Sequence, residues 1–291
     1  MNKKNQINKI YKEKLKKFNL YNKAYFENDN PLVTDHKFDE LKKELLELEK
    51  NHPYLKINKS ILNYVGYKPS EKFQKIKHSK KMLSLSNAFD KNDMIDFKKK
   101  INNFLNTNSQ IELSSEPKID GISASLTYKD GKLEKGLSRG DGKEGEDITE
   151  NLKTINDIPK KILSKDFPEY IDIRGEVFIK NSKFNKLKDK FANPRNAASG
   201  SLRQKNPKDT EKIPLNFIAY TFGFEKGLSV ENQFDFLKKL DDWGFKTNPL
   251  NKLISGIDNL FLNYHDIEKQ RSNLDFDIDG IVYKVNDFAL Q

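Results

Sequence analysis

The chain contains no cysteine among its 291 residues. Disulfide frameworks, thiolate metal sites and a cysteine nucleophile are therefore excluded. It also lacks any apolar run of 18 residues, so no transmembrane helix is expected. The N-terminus, MNKKNQINKIYKEKLKKF, has no apolar segment and does not read as a secretory signal. A cytoplasmic location is the expectation. Arginine is scarce: five residues (Arg139, Arg174, Arg195, Arg203 and Arg271) stand against 48 lysines. Hydrophobic residues make up only 35%, but 20 Phe and 11 Tyr are bulky enough to build a core. What is plentiful is lysine, giving a net charge of +10. Such a balance suits a polyanionic partner such as nucleic acid. Abundant Lys, Asn and Ile are equally what an AT-rich genome writes on any solvated surface, so charge alone leaves both readings open. The arginines are more telling. Four lie in Gly- or Asn-rich segments (SRGDG, IRGEV, NPRN, SLRQ), where a planar fork can grip phosphate or pair with a buried carboxylate.

Residues 1–66 read as helical and basic, with 14 Lys against 3 Asp and 6 Glu. Phe38, Leu41, Leu45, Leu46 and Leu48 recur at helical spacing between Asp35 and Asn51. Thr34 is the expected N-cap, and Pro53 is the expected stop. Two such helices bury little alone and are expected to pack as a small satellite. Residues 56–78 read as a connecting loop. Beyond it the pattern turns mixed. Residues 119–137 predict two strands around Lys129-Asp130-Gly131-Lys132, where Asp-Gly is a strong hairpin signal. Residues 170–179, 215–224 and 279–285 predict further strands, and 90–104, 182–190 and 231–243 predict helices. The expected fold class is α+β: a small helical N-terminal subdomain (1–66), then a domain of antiparallel sheets flanked by helices (67–291).

Several constellations could carry chemistry. In Glu116-Pro117-Lys118-Ile119-Asp120-Gly121, strand alternation puts Glu116, Lys118 and Asp120 on one face. A lysine so placed is a nucleophile if its amine is deprotonated, and a surface ion-pair ladder otherwise. Ser138-Arg139-Gly140-Asp141-Gly142 is a Gly-rich loop that lets backbone approach a ligand or simply turns. Arg174-Gly175-Glu176-Val177-Phe178 sets a Glu on an apolar strand. In Asp277-Ile278-Asp279-Gly280-Ile281-Val282-Tyr283-Lys284, a carboxylate and a lysine stand at opposite ends of one strand and could hold a metal-bound phosphate. FANPRNAASGSLRQ (191–204) is long and rich in small residues, with its Arg and Asn expected to reach outward. Taken singly, each has a plain structural reading.

Their order is decisive. K-x-D-G, R-G-D-G, R-G-E and D-G-I-V-x-K on successive strands match the covalent nucleotidyltransferases. With NPRNAASGSLRQ they closely resemble the bacterial NAD-dependent DNA ligases. Tyr25-Phe26, Asp29-Asn30-Pro31 and the stretch from Thr34 to Asp39 look like that family's N-terminal subdomain, and Met82-Leu83-Ser84-Leu85 like its MLSL segment. The resemblance spans essentially the whole chain. It implies that Lys118 is the adenylated nucleophile and that Asp120 lies beside it. It implies that Glu116 contacts the adenine end, Tyr220 stacks on adenine, Arg139 and Glu176 line the ribose, and Lys284 contacts the α-phosphate. Ser84 and Leu85 would border the NAD site. Asp35, His36, Lys37, Phe38 and Asp39 would belong to the nicotinamide mononucleotide pocket, while Arg195 and Arg203 would serve DNA phosphates. NAD as adenylate donor, Mg²⁺, nicked double-stranded DNA, no membrane and a monomeric state follow from the same resemblance, as do roles in DNA replication and repair. No metal-ligand set is assigned.

Two departures stand out. Phe38 replaces the Tyr usual in the family, which removes one hydroxyl and leaves a ring. The chain ends a few residues past Lys284, before the family's last adenylation motif, OB-fold, four-Cys zinc module, helix-hairpin-helix region and BRCT domain, so it is expected to be the front part of a ligase. The alternatives are an ATP-using ligase or capping-type nucleotidyltransferase, and a non-catalytic nucleic-acid-binding remnant.

Overall fold

The computed structural model describes residues 3–26, 32–33, 35–55, 73–107 and 109–291. In chain order these form α1 (Lys3–Phe26), α2 (Asp35–Asn51), β1 (Lys75–Lys77), α3 (Lys91–Leu105), β2 (Glu112–Ile119), β3 (Ile122–Lys129), β4 (Lys132–Ser138), β5 (Glu144–Glu146) and α4 (Thr149–Leu152). There follow β6 (Tyr170–Ile179), α5 (Asn181–Phe184), α6 (Pro194–Leu202), α7 (Pro207–Glu211), β7 (Leu215–Lys226), α8 (Gln233–Asp242), β8 (Lys252–Ser255), α9 (Ile257–Gln270) and β9 (Ile278–Val285). The fold is mixed helix and antiparallel sheet, as the α+β reading requires. None of the described helices is long and apolar enough to cross a membrane.

Helices α1 and α2 pack through Phe18, Leu45, Leu55 and Tyr11, with Phe38, Leu41, Leu46 and Leu48 around them. The apolar spacing of α2 is what supplies that stripe. Tyr11 Oη donates to the buried Glu49 carboxylate at 2.8 Å. Burial first, and then Glu49, push the phenol up to about 12. The expected cap Thr34 lies outside the described residues. Helix α2 ends at Asn51, just ahead of the short 3-10 turn that Pro53 opens.

Among the described residues of the remainder, two larger sheets stand beside a two-stranded one. In one of the larger sheets, β2 is central and pairs antiparallel with β8 and β9; the other has the order β4-β3-β6-β7. The β3–β4 hairpin turns at Asp130 (φ 48°) and Gly131 (φ 73°), the left-handed pair that the Asp-Gly signal demands. Strand β6 is covered on both faces, and its Ile171, Ile173 and Val177 join Leu126, Tyr128, Leu152, Phe217 and Phe236 in the main core. A second cluster of Ile119, Phe178, Ile218, Ile267 and Ile278 takes one residue each from β2, β6, β7, α9 and β9. It ties the two sheets together directly beneath the residues discussed below.

The structure corrects several local expectations. Residues 75–77 are not loop: β1 pairs with β5, so the Gly-rich segment is anchored as a small two-stranded sheet. The helix expected over 182–190 is only Asn181–Phe184, followed by turns. Only Phe184 and Leu187 of that stretch meet the core, too few to carry a longer amphipathic helix. The strand expected to begin at Ile119 is two: β2 ends there, and the hairpin begins at Ile122. The NPRNAASGSL segment is helix α6, started by Asn193, whose side chain accepts from the Asn196 amide, with Pro194 in the first turn. Its Ala197, Ala198, Ser199 and Ser201 are buried, which is why small residues are needed there.

Candidate active site

The site begins on β2. Ser114, Glu116 and Lys118 alternate onto one face, and β9 lies alongside with Ser114 opposite Lys284 and Lys118 opposite Gly280. Strict alternation along β9 would turn Asp279 away from Lys284's face. The register, however, steps between Lys118 and Ile119, whose partners are Gly280 and Ile278. Asp279 is the extra residue of this bulge, and bulges re-aim side chains. Its Oδ2 meets Lys118 Nζ at 2.5 Å. The lysine side chain is 44% exposed and the aspartate 18%, so the pair meets solvent rather than lying in the core.

Deeper in, Glu116 is 4% exposed. Its Oε1 accepts from Ser114 Oγ and from Gln233 Nε2, both at 2.9 Å. Its Oε2 accepts from Lys284 Nζ at 2.7 Å. Lys284 also donates to the Tyr220 carbonyl at 2.9 Å, and its ammonium lies 5.4 Å from the Tyr220 ring centroid. Lys118 and Lys284 are thus each neutralised by an acid on the neighbouring strand. An incoming phosphate would compete with those acids for the same cations.

Glu176 on β6 faces the same space. Ser123 Oγ donates to its carboxylate at 2.8 Å, and the Tyr220 hydroxyl donates to Ser123 Oγ at 3.4 Å. Burial pushes the Glu176 carboxyl up to about 7, with Asp279 adding to the rise and Lys118, Arg195 and the Ser123 bond opposing it. The Tyr220 phenol is raised as well, by burial first and then by Glu176.

Asp120 does not stand where alternation predicts. Strand β2 stops at Ile119, and the Asp120 amide donates to the Asp277 carbonyl at 2.9 Å. Its carboxylate turns to Arg195 NH1 at 2.6 Å, leaving Lys118 to Asp279. Next to it, a Cβ on Gly121 would come 2.4 Å from the Val177 carbonyl, so only glycine lets β2 leave the sheet at this point. Arg195 and Arg203, expected to reach outward, are both engaged by carboxylates, Arg203 with the fully buried Glu146 at 3.3 Å.

Arg139 is half-buried in the Gly-rich loop, where Gly140 (φ 56°) and Gly142 (φ 83°) take positive φ. His78 Nε2 lies 3.1 Å from the Arg139 carbonyl, and burial lowers the pKa of this imidazole. The Met82 amide donates to Gly142 O at 2.9 Å, and the buried Arg174 guanidinium donates to the carbonyls of Lys80 and Lys81. These bonds hold the chain that leads into Ser84 and Leu85, which are exposed beside the loop.

From the helical subdomain, Phe38 stacks on Phe18 with ring centroids 5.0 Å apart, so one ring face is spent inside the helix pair. Lys37 is exposed. Asp39 is half-buried; burial raises its carboxyl, Lys42, Asn87 and Lys118 oppose the rise, and Asp279 adds to it. Asp39 is therefore within electrostatic reach of the Lys118–Asp279 pair. Lys43 lies over the Phe89 ring at 5.1 Å. The side chains of Tyr25, Asp35 and His36 lie outside the described residues.

The structure thus brings Glu116, Lys118, Glu176, Tyr220 and Lys284 close together with Asp279 and Gln233, and Asp120 is held aside by Arg195. Two members were not assigned from sequence. Asp279 was visible as a carboxylate, but its face was not. Gln233 carried no signal, being one polar residue in the first turn of a helix.

Residues 70–291 match the NAD-dependent DNA ligase adenylation domain, and residues 4–66 match the DNA ligase-like N-terminal NAD+-binding domain. The DNA ligase of Pelagibacter ubique (strain HTCC1062) is 60% identical over 283 residues, covering 97% of this chain and 42% of that protein. Those of Rickettsia massiliae (strain Mtu5) and Rickettsia bellii (strain OSU 85-389) are 44% and 43% identical, each over 98% of this chain. The chain spans less than half the length of these curated relatives. On the match over residues 70–291, it belongs to the NAD-dependent DNA ligase family.

Proposed function

We propose that this chain transfers AMP from NAD onto its own Lys118. Lys118 Nζ attacks the α-phosphorus, a P–N bond forms, the bond to the nicotinamide mononucleotide phosphate breaks, and the mononucleotide leaves. The amine sheds a proton as it attacks, and Asp279, 2.5 Å away, is the nearest acceptor. The observation that carries this reading is the partly exposed Lys118–Asp279 pair, with a second lysine, Lys284, one strand over. Lys284 leaves Glu116 to meet the α-phosphate. Tyr220 offers a ring face to adenine, Glu116 accepts from its amine edge, and Arg139 and Glu176 border the ribose. Asp120, oriented by Arg195, supports the turn that follows the nucleophile.

Residues 1–66 serve as the mononucleotide-binding subdomain, through Asp35, His36, Lys37, Phe38 and Asp39, with Ser84 and Leu85 across from them. Residues 67–291 form the adenylation domain. Among the described residues no three acids or imidazoles converge on a metal site. Mg²⁺ needs only one or two carboxylates when substrate phosphates complete its shell, and Asp279 fits that requirement. Bound there, Mg²⁺ would neutralise phosphate charge. In the full ligase reaction AMP then passes to the 5′-phosphate of a DNA nick, and the 3′-hydroxyl displaces it. Nicked duplex DNA, a cytoplasmic setting, a monomeric state, and work in replication and repair belong to this proposal.

Intact-mass spectrometry after incubation with NAD and Mg²⁺ tests it. The expected result is a species heavier by one AMP, mapped to Lys118, formed from NAD and not from ATP. An adduct from ATP alone would make the chain an ATP-using nucleotidyltransferase. No adduct with either, together with salt-dependent duplex binding, would make it a non-catalytic remnant.

A further inference from the structure

Gln233 is 1% exposed, yet both N–H bonds of its side-chain amide point at the nucleotide-binding residues. One reaches Glu116 Oε1 at 2.9 Å and the other the Tyr220 carbonyl at 2.7 Å. Its backbone is fixed as well. The Gln233 amide donates to the Asn286 carbonyl at 2.7 Å, the Phe234 amide to Asn286 Oδ1 at 2.9 Å, and Asn232 caps the helix. The start of α8 is thereby stapled to the end of β9, and Gln233 has little freedom to turn away.

An ionised carboxylate accepts at about four sites and donates at none. On Glu116, Ser114 and Gln233 fill the sites of Oε1, and Lys284 fills one on Oε2. The acceptor sites left for a ligand are therefore on Oε2: one is open already, and the other is freed when Lys284 moves to the α-phosphate. A group meeting either must bring an N–H. The exocyclic amine of adenine does so, whereas a purine with a carbonyl there presents oxygen to oxygen. Without Gln233 the carboxylate would keep one fewer anchor on Oε1 and could swing away from the exocyclic amine. Buried as it is, Gln233 cannot touch the nucleotide itself.

We infer that Gln233 is a positioning residue that sets the purine specificity of the adenylation site, by fixing Glu116 as an acceptor for an exocyclic amine. The inference rests on the proposed use of NAD. Losing a hydrogen bond to a charged group commonly changes an equilibrium about tenfold or more.

The test compares NAD with nicotinamide hypoxanthine dinucleotide, which carries a carbonyl in place of the adenine amine. Initial rates of adduct formation are measured for the parent chain and for Gln233→Met, which keeps volume and removes both donors. The parent is expected to prefer NAD. In Gln233→Met the preference should fall about tenfold, through a higher KM for NAD with kcat nearly unchanged and little change for the analogue. A purely structural role would weaken both dinucleotides alike, and an unchanged ratio in a folded variant overturns the inference. Should Gln233→Met fail to fold, Ser114→Ala removes the other donor to the same oxygen and should lower the preference several-fold; no change there also overturns it. A parent chain that uses both dinucleotides equally refutes the inference and leaves the proposed function standing. A parent that forms no adduct with either refutes that function, and the inference with it.

Discussion

The carboxyl of Glu176 makes stability respond to pH in a direction opposite to that of most carboxylates. Its value rises from 4.5 to about 7, chiefly through burial. The folded chain therefore holds a proton that the unfolded chain has already released. Stability from this group is fully present below about pH 4.5 and is lost as pH rises through about 7. At 1.36 kcal/mol per pH unit, the rise corresponds to at most about 3 kcal/mol. Glu176→Gln removes the titration, and the amide oxygen can still accept from Ser123. The variant should match the parent near pH 4.5 and exceed it by about 2–3 kcal/mol at pH 8. Urea unfolding of both proteins at several pH values between 4.5 and 8 measures this. Other titrating groups are common to the two proteins and cancel in the difference. A difference that stays flat with pH, or one favouring the parent at pH 8, would refute the reasoning.

Further outcomes concern the nucleophile and its surroundings. Lys118→Ala should abolish the AMP adduct while NAD binding, followed by calorimetry, persists; Lys118→Arg should be equally inactive, since a guanidinium keeps its proton. Asp279→Asn should slow adduct formation by about 10²–10⁴ if this carboxylate takes the lysine's proton, and a stopped-flow rate within a few-fold of the parent would remove it from that role. Deleting residues 1–66 should end use of NAD, because the mononucleotide half can no longer be oriented for in-line attack; a truncated chain that adenylates at the parent rate contradicts the role given to that subdomain. Gly121→Ala should lower stability by about 1–3 kcal/mol through overpacking, because the new methyl would meet the Val177 carbonyl at 2.4 Å; an unchanged melting temperature would count against that tight approach.

Much of this protein was legible in one dimension because it depends on neighbours in sequence. The Asp130-Gly131 turn, the apolar stripe of α2, the halt before Pro53 and the strand over Tyr170–Ile179 all follow from local backbone preference and periodicity. The family was legible too, because it lies in the order of short motifs and not in their contacts. Partnerships across the fold were not. Asp120 and Lys118 are two residues apart and looked like a pair, yet Arg195, 75 residues on from Asp120, takes the aspartate. Asp279, 161 residues from Lys118, takes the lysine. That exchange depends on where β2 ends and on a one-residue bulge in β9, and register is a property of two strands that neither encodes alone. Gln233 reaches Glu116 across 117 residues because the start of α8 is bonded to Asn286, just past β9. The sequence by itself determined which chemical groups are present and along which strands they run. Only the pairing of β2 with β9, and the packing of helices beside them, decided which acid faces which base, because a side chain's partner is chosen by proximity in space.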